Sequence, residues 1–295
     1  MPTIGWIHNF AGRPVYDLKD LHSLMQRNMH LLARLVVLSA LDVAFWKLRG
    51  VPHTVYLPNP PSPMLLESSH SSKPKTAPEG PVELIWWGRL EQHTKRVLQL
   101  IDVAEQLNKL GLDFNFKVIG PDWGDMTTSV FNREAKRRGL ADRIAAMGPR
   151  HGKDLTDAID AADAFVSVSI IEGYLLTLPE AQARGLPVFM YEMPWLYLVQ
   201  DNDGIVAVPQ DDAIGLAKRI VDVMSSPERY EEMSKAALNA GQKAIAHDFS
   251  KLWQQLITGT LPDKYSPEPT LDDAQQLIDL LIFFSERNAG LLKRK

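Results

Sequence analysis

Between Val82 and Pro209 short runs rich in β-branched and aromatic residues alternate with longer stretches of helical apolar spacing. The strand-like runs are 82–87, 114–119, 143–147, 164–169, 187–191 and 205–209. Helical spacing fills 94–110, 129–138, 153–162 and 176–185. Helices of this length bring successive strands side by side through right-handed crossovers, so the expected product is a parallel sheet covered on both faces. Helices over 212–224, 228–246 and 249–257 close that unit, and 271–292 reads as a last amphipathic helix.

The first 57 residues carry a smaller version of the same pattern. Strands are expected at 4–7, 35–38 and 53–57, with helices over 18–32 and 41–49, the second ended by Gly50. Three strands and two helices cannot cover both faces of a parallel sheet, so apolar surface and a strand edge are expected to stay open. Residues 58–81 hold seven prolines and a Ser/Lys cluster, the composition of an extended connector without a core of its own. The chain therefore divides into a partial unit (1–57), a linker (58–81), a main domain (82–258) and an extension (259–295). At 295 residues and 45% hydrophobic content it can bury two α/β cores. A net charge of −4 argues against a nucleic-acid partner. The absence of cysteine excludes disulfides, and no basic-then-apolar leader opens the sequence, so a cytoplasmic location is expected. The most apolar early run, ending at Trp46, is interrupted by Arg34 and Asp42 and falls short of the ~20 residues a bilayer span needs.

Two motifs carry chemistry. Glu172 and Glu180 lie eight positions apart around a strand-to-helix turn. Such pairs are frequent on solvated helices, but here Tyr174, Leu175, Leu176, Leu178 and Pro179 between them are apolar. A carboxylate in that company needs a partner, and a sugar hydroxyl suits. The second motif is Gly88-Arg89-Leu90 directly after the strand ELIWW, with Lys95 at the expected start of the next helix. A lysine on a first helical turn opposes the helix dipole unless an outside anion bridges it. A diphosphate would do so, Arg89 giving planar bidentate contacts and Lys95 a point charge; solvated surface cations are the alternative.

Taken together, Gly-Arg-Leu with a lysine six positions after the arginine, then Glu-Gly-aromatic with a second glutamate eight positions on, resembles the retaining GT-B glycosyltransferases of family 4 over roughly 82–258. Gly148, Ala162-Asp163, Gly185-Leu186-Pro187-Val188 and Phe249-Ser250 fit the same pattern. The resemblance implies an α/β fold of GT-B type, a Rossmann-like C-terminal domain preceded here by a partial N-terminal Rossmann-like unit. It implies sugar transfer from a UDP-, GDP- or ADP-sugar without a cofactor, in cell-surface polysaccharide or glycoconjugate synthesis, to a sugar, lipid-linked or protein acceptor. It assigns Arg89 and Lys95 to the donor diphosphate, Glu172 to the donor sugar and Glu180 to the ribose. Gly88 and the backbone at Gly173, Tyr174, Leu175 and Leu176 would hold sugar and phosphate. The segment GWIHN resembles the last third of the family's N-terminal domain, whose matching histidine, here His8, reaches across the cleft to the sugar. Leu175 stands where the family commonly has glycine, which places the neighbouring amide contact in question.

Other motifs are weaker. GPRHGK at 148–153 has the wrong spacing for a phosphate loop and an aspartate at the metal-binding hydroxyl position. Asp201-Asn202-Asp203 has a metal-binding form but precedes Gly204 like an ordinary turn, and the eight histidines lack ligand spacing, so no metal is expected. The last helix, with its basic tail, suits either packing on its own protein or peripheral contact with an anionic membrane. An incomplete N-terminal half leads to the expectation that a second copy or a complementary chain completes the enzyme; a non-catalytic nucleotide-sugar-binding subunit is the alternative.

Overall fold

The computed structural model describes residues 2–16, 26–68 and 72–292. Six parallel strands form the larger sheet: β4 (Val82–Trp87), β5 (Phe114–Ile119), β6 (Ile144–Ala146), β7 (Ala164–Ser167), β8 (Val188–Tyr191) and β9 (Ile205–Val208), in the order β6-β5-β4-β7-β8-β9. Leu84 pairs with Phe116 on one side and Ala164 on the other. The order reverses between β4 and β7, and at such a switch point the loops leaving the two strands diverge and open a crevice at their carboxyl ends. Leu84, Ile85, Phe165, Val166 and Phe189 are fully buried, as strands packed on both faces require.

The covering helices are α4 (Gln99–Lys109), α5 (Thr128–Arg137), α6 (Gly152–Asp160), α7 (Thr177–Gln182), α8 (Ala213–Met224) and α9 (Pro227–Ile245). Thr127 and Asp212 cap α5 and α8 by accepting from Val130 N–H and Gly215 N–H. Helix α4 begins five residues later than the sequence pattern suggests. Arg96 adopts φ +53, which no α-helix accommodates, and the carboxylate of Glu91 takes the N–H groups of His93, Thr94 and Lys95. Lys95 is therefore a loop residue, and the argument from an opposed helix dipole does not apply to it.

The smaller sheet is parallel in the order β1-β2-β3: β1 (Ile4–Trp6), β2 (Arg34–Val37) and β3 (Thr54–Tyr56). A short α1 (Arg13–Tyr16) follows β1, and α2 (Ala40–Leu48) starts at Ser39, whose hydroxyl accepts the Asp42 N–H. The helix expected over 18–32 lies largely outside the described residues; Gln26–Leu31 is a 3-10 helix. The expectation of open apolar faces on this sheet is corrected. Leu35 and Val37 pack with Ile7, Val43 and Trp46 on one side. On the other, Val36, Val55 and Leu57 pack with Leu252 and Leu256 of α10 (Phe249–Thr258) and with Tyr265. The chain's own C-terminal part supplies the missing cover. Among the described residues no strand pairs with the outer edge of β1, where Ile4 and Trp6 are exposed.

Helix α11 (Leu271–Leu292) crosses back onto α1 and α2. Leu277 and Phe284 are buried while Leu271, Ile278 and Ile282 face outward, so one side of the helix packs on its own protein and part of its apolar stripe stays exposed. The linker also differs from expectation. It forms α3 (Pro63–Ser68) with Leu65 buried, and its Lys75 N–H donates to Ser234 Oγ. No described helix is long and apolar enough to cross a membrane, and no described cluster could ligate a metal. Asp201, at φ +49, lies in a turn whose Asn202 is tied to Gln182.

Candidate active site

The loops leaving β4 and β7 carry the two motifs and meet at the switch point. Lys95 Nζ lies 2.7 Å from Glu172 Oε1, and the two side chains are 18% and 17% exposed. Ser169 Oγ donates to the same carboxylate oxygen at 2.9 Å, and Trp195 Nε1 donates to the Glu172 carbonyl at 2.8 Å. Glu172 is thus fixed at both ends, by its carboxylate and by its carbonyl. Arg89 is exposed on the loop that leaves β4, its guanidinium 4.3 Å from the ring centroid of Trp123, a cation–π contact that holds the side chain against the β5 loop.

Glycines let the strand ends approach. A Cβ on Gly120 would fall 1.6 Å from the Gly88 carbonyl oxygen, and Gly88 N–H donates to Ile119. Across the crevice, a Cβ on Gly173 would lie 2.0 Å from the carbonyl oxygen of His8. The small unit therefore reaches the glutamate loop by backbone contact, which only a residue without a side chain permits. The His8 imidazole is tilted against Trp6 at 4.3 Å, and partial burial lowers its pKa, favouring the neutral ring. Asp42, fully buried, accepts the Ala11 N–H at 2.8 Å and the Ser39 hydroxyl at 2.9 Å, holding the loop that follows His8.

Glu180 is 8% exposed and both its oxygens are occupied, Oε1 by Ser62 Oγ at 2.6 Å and Oε2 by Trp87 Nε1 at 3.2 Å. Burial raises its pKa, and the two hydrogen bonds and Arg184 offset only part of that rise. It is covered by Ser62 of the linker, not bare in a cleft. Tyr174 is buried and Leu176 exposed. Leu175 has φ +58, the left-handed conformation that glycine adopts freely, so a leucine stands here on a backbone that glycine would take without strain. Of the residues singled out from the sequence, the structure brings together Gly88, Lys95, Glu172, Gly173 and the backbone of His8, while the Arg89 side chain lies on Trp123. Glu180 is buried and held by Ser62 and Trp87. Sequence reasoning missed Glu91, Ser62, Trp87, Ser169 and Trp195, which hold these groups; only Glu91, three residues before Thr94, left a local turn signal.

A six-stranded parallel sheet of this order, a second parallel unit across a crevice and C-terminal helices returning to that unit define an α/β protein of the GT-B type. The sequence over residues 68–240 matches the glycosyl transferases group 1, and the chain belongs to that family. It is similar to the D-inositol 3-phosphate glycosyltransferase of Corynebacterium diphtheriae, 29% identical over 155 residues, 51% of this chain and 36% of that one. In structure it resembles TarM of S. aureus, with a TM-score of 0.68 at 17% identity, covering 86% of this chain and 50% of that one. WaaG, a glycosyltransferase involved in lipopolysaccharide biosynthesis, aligns with a TM-score of 0.64 at 16% identity over 90% and 76%. Anabaena HepE in complex with UDP aligns at 0.67 and 15% over 88% and 71%. The chain thus spans about half the length of TarM and matches about a third of the curated relative.

Proposed function

We propose that this chain binds a nucleoside diphosphate sugar at the switch-point crevice and transfers the sugar, with retention of anomeric configuration, to an acceptor hydroxyl. The observation that carries the reading is the Lys95–Glu172 ion pair, which joins the cation motif to the glutamate motif across β4 and β7. A diphosphate carries more charge than a carboxylate and can draw Lys95 away, which frees a Glu172 oxygen for sugar hydroxyls. Arg89 and Lys95 then face the charge that grows on the diphosphate as the anomeric bond breaks, an electrostatic role served by fixed cations in a partly desolvated site. Neutral His8 can hydrogen-bond the sugar from the opposite side. Ribose would replace Ser62 on Glu180. WaaG's role in lipopolysaccharide biosynthesis supports an acceptor in cell-surface polysaccharide or glycoconjugate synthesis.

The test is calorimetry of the purified chain with UDP-, GDP- and ADP-sugars, followed by product analysis with candidate acceptors. Binding of one donor class with an α-to-α or β-to-β product supports the reading; no binding to any of the three removes it. A second reading, a donor-binding half that needs a complementary chain, is favoured by the edge of β1, which no described strand pairs. Donor binding without transfer, with transfer restored in a heavier assembly, would select it.

A further inference from the structure

Glu91 lies two residues beyond Arg89 and organises the loop that carries Lys95. Its Oε1 accepts the N–H of His93 at 2.6 Å and of Thr94 at 3.1 Å. Its Oε2 accepts the N–H of Thr94 at 2.9 Å and of Lys95 at 3.1 Å, and the Thr94 hydroxyl at 2.5 Å. Burial alone would raise the pKa of this carboxyl, but the hydrogen bonds from Thr94, Lys95 and His93 outweigh it and the net shift is downward. The carboxylate thus stays ionised. Thr94 is buried, and its carbonyl accepts the Ile170 N–H at 2.9 Å. Ile170 follows Ser169, whose hydroxyl holds Glu172. One carboxylate therefore folds the Lys95 loop and ties it to the segment bearing Glu172.

The role is not helix capping. The first residue before α4 is Leu98, and its N–H goes to the side chain of Gln92 at 3.0 Å. Nor do the loop's amides serve an anion, because those of 93–95 all turn inward to Glu91. What the loop brings to Glu172 is the Lys95 side chain, and its direction is set by the turn beneath it. Resting on the donor-binding reading above, we propose that Glu91 is a positioning residue: it orders residues 93–95 so that Lys95 is held at the diphosphate subsite in register with Glu172.

The experiment measures affinity of the full chain and its variants for UDP, GDP and ADP and for the corresponding nucleosides. Glu91→Gln puts an amide donor against backbone donors. It should weaken the diphosphate that the wild type binds by about tenfold or more while leaving the nucleoside within about twofold. Thr94→Val removes only the hydroxyl and should show the same selective loss to a smaller degree; Thr94→Ser, which restores the hydroxyl, should bind as the wild type does. Wild-type diphosphate affinity in Glu91→Gln, equal loss of nucleoside and diphosphate, or a Thr94→Ser variant as weak as Thr94→Val would overturn the assignment. If Glu91→Gln does not fold, the two Thr94 variants decide alone. A wild type that binds none of the three diphosphates removes the donor-binding reading and this inference with it, whereas wild-type binding with unaffected variants removes only the role of Glu91.

Discussion

Leu175 combines a left-handed backbone, φ +58, with a side chain only 6% exposed, and the two features pull in opposite directions. The conformation costs an L residue about 1–2 kcal/mol, while the buried leucine stabilises by more, since truncation to alanine typically loses about 2–5 kcal/mol. Both Leu175→Ala and Leu175→Gly should therefore unfold earlier than the wild type. Glycine should nevertheless be the more stable of the two by about 1 kcal/mol, the reverse of the usual order. Chemical denaturation of the pair measures this, and alanine above glycine would show that φ +58 carries no strain. Asp42 presents a second opposition. Its burial raises the pKa to about 7 despite hydrogen bonds from Ala11 and Ser39. Because the folded pKa exceeds the unfolded one, the folded state binds more protons between the two. Stability from this group is full below the unfolded value and is lost as pH rises through about 7. The melting temperature should fall between pH 5 and pH 8, and Asp42→Asn, which keeps an acceptor for Ala11 and a donor for Ser39, should flatten that slope. At the crevice itself, Lys95→Ala and Arg89→Ala should weaken nucleoside diphosphates far more than nucleosides, each lost charged hydrogen bond being worth roughly 1.5–3 kcal/mol; equal losses would show that these cations only maintain structure.

The elements were legible where local pattern and burial agree. Strands β4 and β5 begin and end where their apolar runs do, because most of their positions are buried, with Glu83, Asn115 and Lys117 half-buried. Boundaries shifted where a side chain competed with the backbone. The start of α4 moved to Gln99 because Glu91 captures amides that would otherwise enter the helix, and periodicity does not register such capture. The paired motifs were readable because each lies within one strand–turn–helix stretch. The groups that hold them were not, since Ser62, Trp87 and Trp195 reach Glu180 and Glu172 from distant positions in the chain. The linker was misread for a related reason: its prolines signal extension, yet Leu65 finds an apolar seat that composition cannot show. Contact between the units offers a test at this scale. Gly173→Ala places a Cβ where the His8 carbonyl stands, and backbone cannot yield as a flexible side chain would. The loops must separate, so this variant should keep nucleoside diphosphate affinity and lose sugar transfer by about tenfold or more, the cost typical of a small misplacement at a reacting centre. Unchanged turnover would mean that His8 takes no part in holding the sugar.

At the scale of the molecule, the helices and loop after residue 248 pack on the small unit. Three strands with few helices of their own are covered on one face by α10 and Tyr265, and α11 then brings Phe284 to the seam. Phe284 is fully buried, with its ring centroid 6.2 Å from Phe10 and 5.6 Å from Trp195. Phe10 belongs to the His8 loop and stacks on Trp195 at 4.5 Å, and Trp195 in turn donates to the Glu172 carbonyl. A single aromatic cluster thus connects the last helix, the small unit and the glutamate that faces the crevice. Truncating Phe284 should destabilise the protein by about 3–5 kcal/mol, the range for a buried phenylalanine. The consequence for ligands should be selective. Arg89 and Lys95 stand on the β4 side and do not touch the cluster, whereas Glu172 and the His8 loop do. Phe284→Ala should therefore bind the nucleoside diphosphate nearly as the wild type does and lose the extra affinity that the sugar moiety contributes. Calorimetry with a nucleotide sugar and its parent diphosphate, at a temperature where the variant remains folded, measures both. Equal weakening of the two ligands, or none, would show that the cluster joins the units without supporting the sugar subsite.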